Sequence, residues 1–176
     1  MSDGEKPSAH SIDISADEDT DIPADEGLLR RFICAVLDDP AVSAQGWEIS
    51  LSFCSESRMS ALNTEYRHKS GTTDVLTFVW NERSPEDHSW PDTVFDTQHR
   101  TGVVDSRYAG DIAVDFGQVS RNAAMFGVTK EEELRRVLVH GVLHLAGMDH
   151  ETNEVSEPML VTQEEILTRL SELRLF

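Results

Sequence analysis

The chain has 176 residues, of which 39% are hydrophobic and 27% are charged, a balance typical of one globular domain. Its net charge of −18 argues against a nucleic-acid partner, since phosphate binding favours a basic surface. Two cysteines are too few for a disulfide scaffold. Because the sequence shows neither an apolar run of membrane-spanning length nor a secretory signal, we expect a cytoplasmic protein without a membrane partner.

The first part of the chain, residues 1–26, is an acidic leader with nine acidic side chains against one lysine. We expect this leader to be partly disordered, because it is polar and carries a strong net charge. Ile12 and Ile14 alternate with polar residues, which allows a short strand over residues 10–15. Residues 27–176 then form the folded domain.

Hydrophobic periodicity predicts the secondary structure of this domain. The predicted elements are a helix over 24–38, a strand over 47–53, a helix over 55–66, strands over 74–80 and 110–115, and helices over 116–126, 130–146 and 158–173. Thr129 and Glu132 form a capping-box pattern, which marks the start of the helix near residue 130. Residues 81–108 are polar and have no sustained period, so we interpret this long loop as an insertion or a lid.

Three histidines near the end of the 130–146 helix have the spacing of a metal site. His140 and His144 are four residues apart, which puts both imidazoles on one helix face. Gly147 can adopt a positive φ and end the helix, so that His150 returns as the third ligand. Three nitrogen ligands leave one tetrahedral position open, the pattern of a catalytic zinc rather than a structural one. The sequence therefore predicts one Zn²⁺ per chain.

The same histidine spacing occurs in zinc metalloproteases of the metzincin type. Those enzymes carry a glutamate directly after the first histidine, where it serves as general base for peptide hydrolysis. This chain has Gly141 at that position. The ligand spacing is therefore shared, but the residue that the protease chemistry needs is missing, and a protease stays the weakest interpretation.

A second group of functional candidates lies between the 55–66 helix and the 74–80 strand. Arg67 offers a planar guanidinium for bidentate contact with a phosphate, and Lys69 offers a point charge. Together they suit a phosphodiester held beside a zinc-bound water. The alternative is a solvated loop with ordinary surface cations, which the residues alone favour.

Three motifs of the chain resemble the YbeY family of bacterial metal-dependent endoribonucleases. The order and separation of the motifs also match, and the resemblance covers about residues 45–175. The matching residues are Leu62-Asn63, Tyr66-Arg67, Lys69, Thr73-Asp74-Val75-Leu76 and Phe78, then Gly110-Asp111-Ile112, and finally His140-Gly141, Leu143-His144-Leu145, Gly147 and Asp149-His150.

The resemblance implies a single α+β domain, with a small mixed sheet of about four strands packed against several helices and zinc at the end of the histidine-bearing helix. It also implies a zinc-dependent endoribonuclease that acts on single-stranded RNA in ribosomal RNA maturation, including the 3′ end of the small-subunit RNA, and in ribosome quality control. Ribosomal RNA and ribosome-associated proteins are the implied partners. The alternative is a ribosome-assembly factor with a mainly structural metal and marginal nuclease activity.

The resemblance assigns zinc to the three histidines and makes Arg67 the catalytic arginine across the cleft. Asp149, next to the last ligand, could orient an imidazole through its N–H group. Thr73, Asp74 and Asp111 are expected to brace the site or the substrate. The sequence departs from the family in two places, since residues 69–74 read Lys-Ser-Gly-Thr-Thr-Asp where Lys-Asp-x-Pro-Thr-Asp is usual, and Met148 stands where an aromatic residue is common.

Overall fold

A computed structural model describes residues 10–80, 93–94 and 107–176 of the chain. Five helices and five strands lie within these residues. In chain order they are β1 Ser11–Ala16, α1 Glu26–Asp38, β2 Glu48–Phe53, α2 Glu56–Arg67, β3 Val75–Val79, β4 Thr93–Val94, β5 Tyr108–Val114, α3 Phe116–Phe126, α4 Lys130–Leu145 and α5 Pro158–Arg169.

The strands form one mixed sheet in the order β1-β2-β5-β3-β4. Strands β1, β2 and β5 run parallel, β3 is antiparallel to β5, and β4 is parallel to β3. Strand β4 has only two residues, so four longer strands make up the body of the sheet. This arrangement confirms the predicted single α+β domain with a small mixed sheet packed against several helices.

The histidine-bearing helix α4 packs on one face of the sheet together with α1 and forms the larger core. Strand residues alternate between the two faces, so every second residue of β2 points into this core. Side chains from the sheet and both helices are fully buried here, among them Leu29, Phe32, Ile33, Leu51, Ile112, Leu138 and Val142. A smaller cluster on the other face joins α2 to β3 through Met59, Leu76 and Phe78. Helix α4 is therefore positioned by its buried contacts with the sheet.

Both ends of α4 follow the local signals in the sequence. At its start, Thr129 Oγ1 accepts from the backbone N–H of Glu132 and Glu132 Oε2 accepts from the backbone N–H of Thr129, at 3.1 and 2.8 Å. This is the predicted capping box, and it satisfies two backbone donors that a helix start leaves open. The negative carboxylate at this end also suits the helix dipole.

Three further predictions concern the acidic leader, the last helix and the long loop. The short strand expected in the acidic leader is present as β1, which pairs with β2 along its whole length. Helix α5 ends at Arg169 instead of residue 173, because the chain turns back to bury Leu175 and to donate its N–H to Glu131 Oε1 at 2.6 Å. The long loop predicted over 81–108 lies outside the described residues, apart from 93–94 and 107–108.

In the described part of the chain, no helix combines the length and the apolar character needed to cross a bilayer.

Candidate metal centre

The structure brings the three predicted ligands together at the end of α4. His140 and His144 lie one turn apart on the helix, and His150 lies in the loop that follows it. One ring nitrogen from each histidine falls within 4.8 Å of the others. The ring centroids of His140 and His150 are 5.1 Å apart, and those of His144 and His150 are 5.6 Å apart. The three imidazoles therefore surround a single point.

The turn that returns His150 to this point depends on Gly147. Its φ of +85° lies in the left-handed region, which costs a glycine little. Its N–H donates to the carbonyl of His144 at 2.9 Å, and the N–H of Met148 donates to the carbonyl of Leu143 at 3.0 Å. These two bonds form a Schellman motif, the common way for a glycine to end a helix. The helix-ending role predicted for Gly147 is therefore confirmed.

Backbone carbonyls fix the orientation of two of the imidazoles. His144 Nδ1 lies 3.1 Å from the carbonyl oxygen of Met148, and His150 Nδ1 lies 2.9 Å from that of Thr152. A carbonyl oxygen can only accept, so each Nδ1 must carry the proton and donate. A neutral imidazole protonated at Nδ1 keeps a lone pair on Nε2. Both side chains therefore hold Nε2 ready for a metal ion.

Helix α5 supplies the acceptor for the remaining imidazole. His140 Nδ1 lies 2.9 Å from Oε1 of Gln163, which is 4% exposed. The amide orientation of Gln163 is fixed in turn, because its Nε2 donates to Glu164 Oε1 at 3.1 Å. His140 thus has the same protonation pattern as the other two histidines. Such partners of metal-binding histidines fix the ring and raise its basicity.

The chemistry of this donor set fits a metal ion. The Nε2 atoms of His140 and His144 are only 3.0 Å apart. If both Nδ1 atoms are protonated, two lone pairs face each other across this distance, and they repel unless a proton or a cation lies between them. Three imidazole nitrogens are a typical ligand set for first-row transition metals such as zinc.

The imidazoles form one wall of a cleft of about 310 Å³. Its lining combines cations, carboxylates and small polar groups from α2, β3, α4 and α5. The lining residues are Arg67, Thr73, Asp74, Val75, Thr77, Glu133, Arg136, Val137, His140, His144, His150, Asn153 and Gln163. A substrate in this cleft would touch both the metal ligands and the arginines.

Arg67 and Asp74, two of the predicted site residues, line this cleft. Arg67 is the last residue of α2. Asp74 has a bracing position: its Oδ1 accepts from the N–H of Val75 at 2.9 Å and its Oδ2 accepts from Asn122 Nδ2 at 3.0 Å. Asp74 therefore joins the start of β3 to α3 and fixes the cleft wall.

The structure does not bring Lys69 and Asp111 to the cleft. Lys69 is exposed in the loop after α2 and is outside the cleft lining. Asp111 points to the sheet face opposite α4, because the neighbouring Ile112 faces the helix and side chains alternate along a strand. Asp111 Oδ1 accepts from the hydroxyl of Tyr108 at 2.6 Å, which ties it to its own strand.

Asp149 lies beside the three histidines, but it does not accept the hydrogen bond from an imidazole that was expected of it. Its Oδ1 is 4.0 Å from Nδ1 of His144, too far for a hydrogen bond. The carbonyl of Met148 takes that proton instead. Asp149 is therefore not the group that orients the imidazole of His144.

Sequence reasoning missed four residues that shape the site: Glu133, Arg136, Asn122 and Gln163. Glu133 is 3% exposed and its Oε2 accepts from Arg136 Nη1 at 3.0 Å. Glu133 could have been found from the sequence, because it is seven residues before His140 and so lies on the same helix face. Asn122 and Gln163 carry no comparable local signal, because only the tertiary fold brings α3 and α5 to the site.

Position 141 has no room for the glutamate of a protease. A Cβ on Gly141 would lie 3.1 Å from both Cδ1 and Cγ2 of Ile112 on β5. That side chain is fully buried and cannot move aside. The missing side chain is therefore a packing requirement, and residue 141 faces the sheet instead of the cleft.

An α+β domain that holds three imidazoles around one point in an open cleft has the geometry to hold a metal ion and leaves room for a substrate. The family model described as "Endoribonuclease YbeY" matches residues 13–171 of the chain. The chain belongs to this family, as its motifs predicted.

Individual relatives agree with this assignment. The chain is 34% identical to endoribonuclease YbeY of Treponema denticola over 168 residues, which cover 96% of this chain and 98% of the relative. It is 35% identical to endoribonuclease YbeY of Geobacillus kaustophilus over 129 residues, covering 73% and 76% of the two chains. The solution structure of TM1509 from Thermotoga maritima is similar at a TM-score of 0.54 and 25% identity, covering 92% of this chain and 90% of that one.

Proposed function

We propose that this protein is a zinc-dependent endoribonuclease that cuts single-stranded RNA in the cytoplasm. The observation that carries the proposal is the convergence of three imidazole nitrogens, within 4.8 Å of one another, in a cleft that also contains Arg67. Family membership supports the RNA substrate, because the relatives are named endoribonucleases. Zinc is the metal we propose, since three imidazoles with an open position are a common catalytic zinc site.

The side chains of the cleft have separate tasks in this proposal. The three histidines hold the metal, and bound zinc would lower the pKa of a coordinated water towards about 7 and polarise a phosphoryl oxygen. Arg67 binds the phosphate and stabilises the charge that develops on its oxygens. Asp74 keeps the cleft wall in place through Val75 and Asn122. A single strand can bend its backbone into this small cleft, whereas a duplex holds its phosphates in a regular helix.

We further propose that the substrate is ribosomal RNA, including the 3′ end of the small-subunit RNA, and that the protein acts in rRNA maturation and ribosome quality control. The net charge of −18 supports contact with basic ribosomal or ribosome-associated proteins, because opposite charges attract. The same charge favours a second candidate function. A ribosome-assembly factor with a mainly structural metal would need no cleavage of RNA, and acidic charge suits protein partners better than naked RNA.

The test combines metal analysis with cleavage of single-stranded RNA by purified variants. We expect His144→Ala to lose metal and activity together, and Arg67→Ala to keep its metal while losing turnover. Arg174→Ala is the matched control, because Arg174 has a side chain 66% exposed and lies outside the cleft lining. Its metal content and turnover should equal those of the wild type.

Two results would count against the proposal. Equal cleavage by the wild type, His144→Ala and Arg67→Ala would show that a contaminating nuclease cuts the RNA. A wild type that binds one metal ion tightly but cuts no RNA would favour the assembly factor instead.

A further inference from the structure

Glu133 stands on the same face of α4 as two of the metal ligands. Residues 133, 137, 140 and 144 follow one another at spacings of four, three and four, and all of them line the cleft. The helix rises about 1.5 Å per residue, so Glu133 lies about 10 Å before His140 along the axis. Glu133 and the histidines line the same cleft, so an RNA strand bound there can contact both.

The surroundings of Glu133 shift the pKa of its carboxyl upwards. Burial raises the pKa of Glu133 above its ordinary value, and the charges of Asp74 and Glu164 act in the same direction, while Arg136 opposes them. Arg136 occupies Oε2 at 3.0 Å, so the proton belongs on Oε1. The cleft lining also contains the ionisable side chains of Arg67 and of the three histidines. Glu133 can therefore hold a proton at a pH where an exposed glutamate has lost it.

The other carboxyl that lines the cleft, that of Asp74, has a structural position. Both oxygens of Asp74 accept hydrogen bonds, from Val75 N–H at 2.9 Å and from Asn122 Nδ2 at 3.0 Å. These two bonds join Asp74 to the start of β3 and to α3, so Asp74 is a fixed brace of the cleft wall.

We propose that Glu133 is the general acid that protonates the leaving ribose oxygen during RNA cleavage. The inference rests on the proposed endoribonuclease function and adds a residue to it. As a water oxygen bonds to phosphorus, the bond from phosphorus to the leaving ribose oxygen breaks. The electron pair stays on that oxygen, which takes the proton from Glu133 Oε1. The attacking water releases a proton to solvent, and the Glu133 carboxylate recovers one from solvent.

Arg136 has a supporting part in this step. Its guanidinium donates to Glu133 from Nη1 at 3.0 Å and to Glu164 from Nε at 3.1 Å, so it is fixed between α4 and α5. When Glu133 loses its proton, the positive charge of Arg136 stabilises the buried carboxylate. Arg136 therefore acts through Glu133 as a positioning residue.

The test uses the full-length, zinc-loaded protein with Glu133→Gln, which keeps the shape of the side chain but cannot donate a carboxylic proton. Three RNA substrates are compared. One has oxygen at both bridging positions of the cleaved phosphate, and the other two have sulfur at the 3′- or at the 5′-bridging position. The sulfur substrate that matters is the one whose sulfur is the leaving atom. A thiolate leaves without a proton, so cleavage of this substrate does not need a general acid.

We expect Glu133→Gln to cut the oxygen substrate about 10² to 10⁴ times more slowly than the wild type. It should cut the sulfur substrate within a few-fold of the wild-type rate and bind the same amount of zinc. Glu165→Gln is the matched control, because Glu165 is 61% exposed on α5 and lies outside the cleft lining. Its rates on both substrates should match those of the wild type.

Three other outcomes overturn the inference, and they are distinguishable. If Glu133→Gln slows both substrates equally, the residue has only a structural role. If it slows neither, the residue has no part in the reaction. If the wild type cuts neither substrate, the proposed function itself is wrong, and the role of Glu133 falls with it.

Discussion

The Nδ1 atom of His140 and the Oε1 atom of Gln163 are 2.9 Å apart, so helix α5 fixes the orientation of a candidate metal ligand on helix α4. Residue 163 is 23 positions further along the chain than residue 140. The contact therefore depends on the packing of the two helices, and it links the stability of α5 to the metal affinity of the site.

Removing the acceptor on Gln163 should weaken metal binding. In Gln163→Met the side chain keeps its apolar length but loses Oε1, so His140 is no longer held in the tautomer that presents Nε2. We expect zinc affinity to fall about 10- to 100-fold, the usual effect of losing such a partner. Competition with a chelator of known affinity measures the change. Thr162→Val is the control, because the hydroxyl of Thr162 donates within α5, to the carbonyl of Pro158. Unchanged zinc affinity in Gln163→Met would refute the orienting role of Gln163.

The local signals in the sequence predicted the frame of the site well. The capping pattern of Thr129 and Glu132 and the glycine at 147 marked both ends of α4 to within one residue, because helix ends are decided by nearby side chains. Because the ends of α4 were known, the convergence of the three histidines could also be predicted. Two of them lie on that helix, and the third lies just after its C-terminal turn.

The rest of the site depends on the tertiary fold. Asp111 looked like a bracing residue in the sequence, but strand alternation places it on the far face of the sheet. Gln163 approaches His140 only because α5 packs against α4. Strand β1 had a weak signal of its own, since two isoleucines among polar residues gain stability only when β2 pairs with them. Neighbours of this kind cannot be read from a short stretch of sequence.

The close approach of α4 to β5 should make Gly141→Ala destabilising. Alanine favours a helix by about 1 kcal/mol over glycine, but the new Cβ would lie 3.1 Å from two carbon atoms of the immobile Ile112. Overpacking of this kind costs about 1–3 kcal/mol, so we expect a net loss of about 1 kcal/mol. Urea unfolding measures the free energy. In an Ile112→Val background, Gly141→Ala should lower the free energy of unfolding by less, because Cδ1 of residue 112 is missing. An equal loss in both backgrounds would contradict a clash with Ile112 as its cause.

Asp39 should give the fold a defined pH dependence. Burial raises the pKa of Asp39, but hydrogen bonds from Arg169 and from the N–H of Ala41, together with the charge of Arg169, outweigh it and hold the pKa below its usual 3.8. The folded protein thus favours the carboxylate, and the stabilisation is present above about pH 4 and lost as the pH falls through the lowered folded pKa.

The matching experiment compares the Tm of the wild type with that of Asp39→Asn from pH 7 down to pH 2. The variant should melt at a lower temperature at pH 7, and the difference should close in acid as the wild-type carboxyl takes up its proton. Asp19→Asn, at an exposed position, is the control and should follow the wild type. A Tm difference that stays constant over the whole range would contradict the ion pair as its cause.

The most direct test of the central claim is a zinc titration of RNA cleavage. The protein is stripped of metal with a chelator, and single-turnover cleavage of single-stranded RNA is measured as Zn²⁺ is added back. We predict no cleavage without metal, a linear rise, and a plateau at one ion per chain, with His144→Ala inactive throughout. Full cleavage by the stripped protein, or the same plateau in His144→Ala, would contradict a catalytic zinc held by the three histidines.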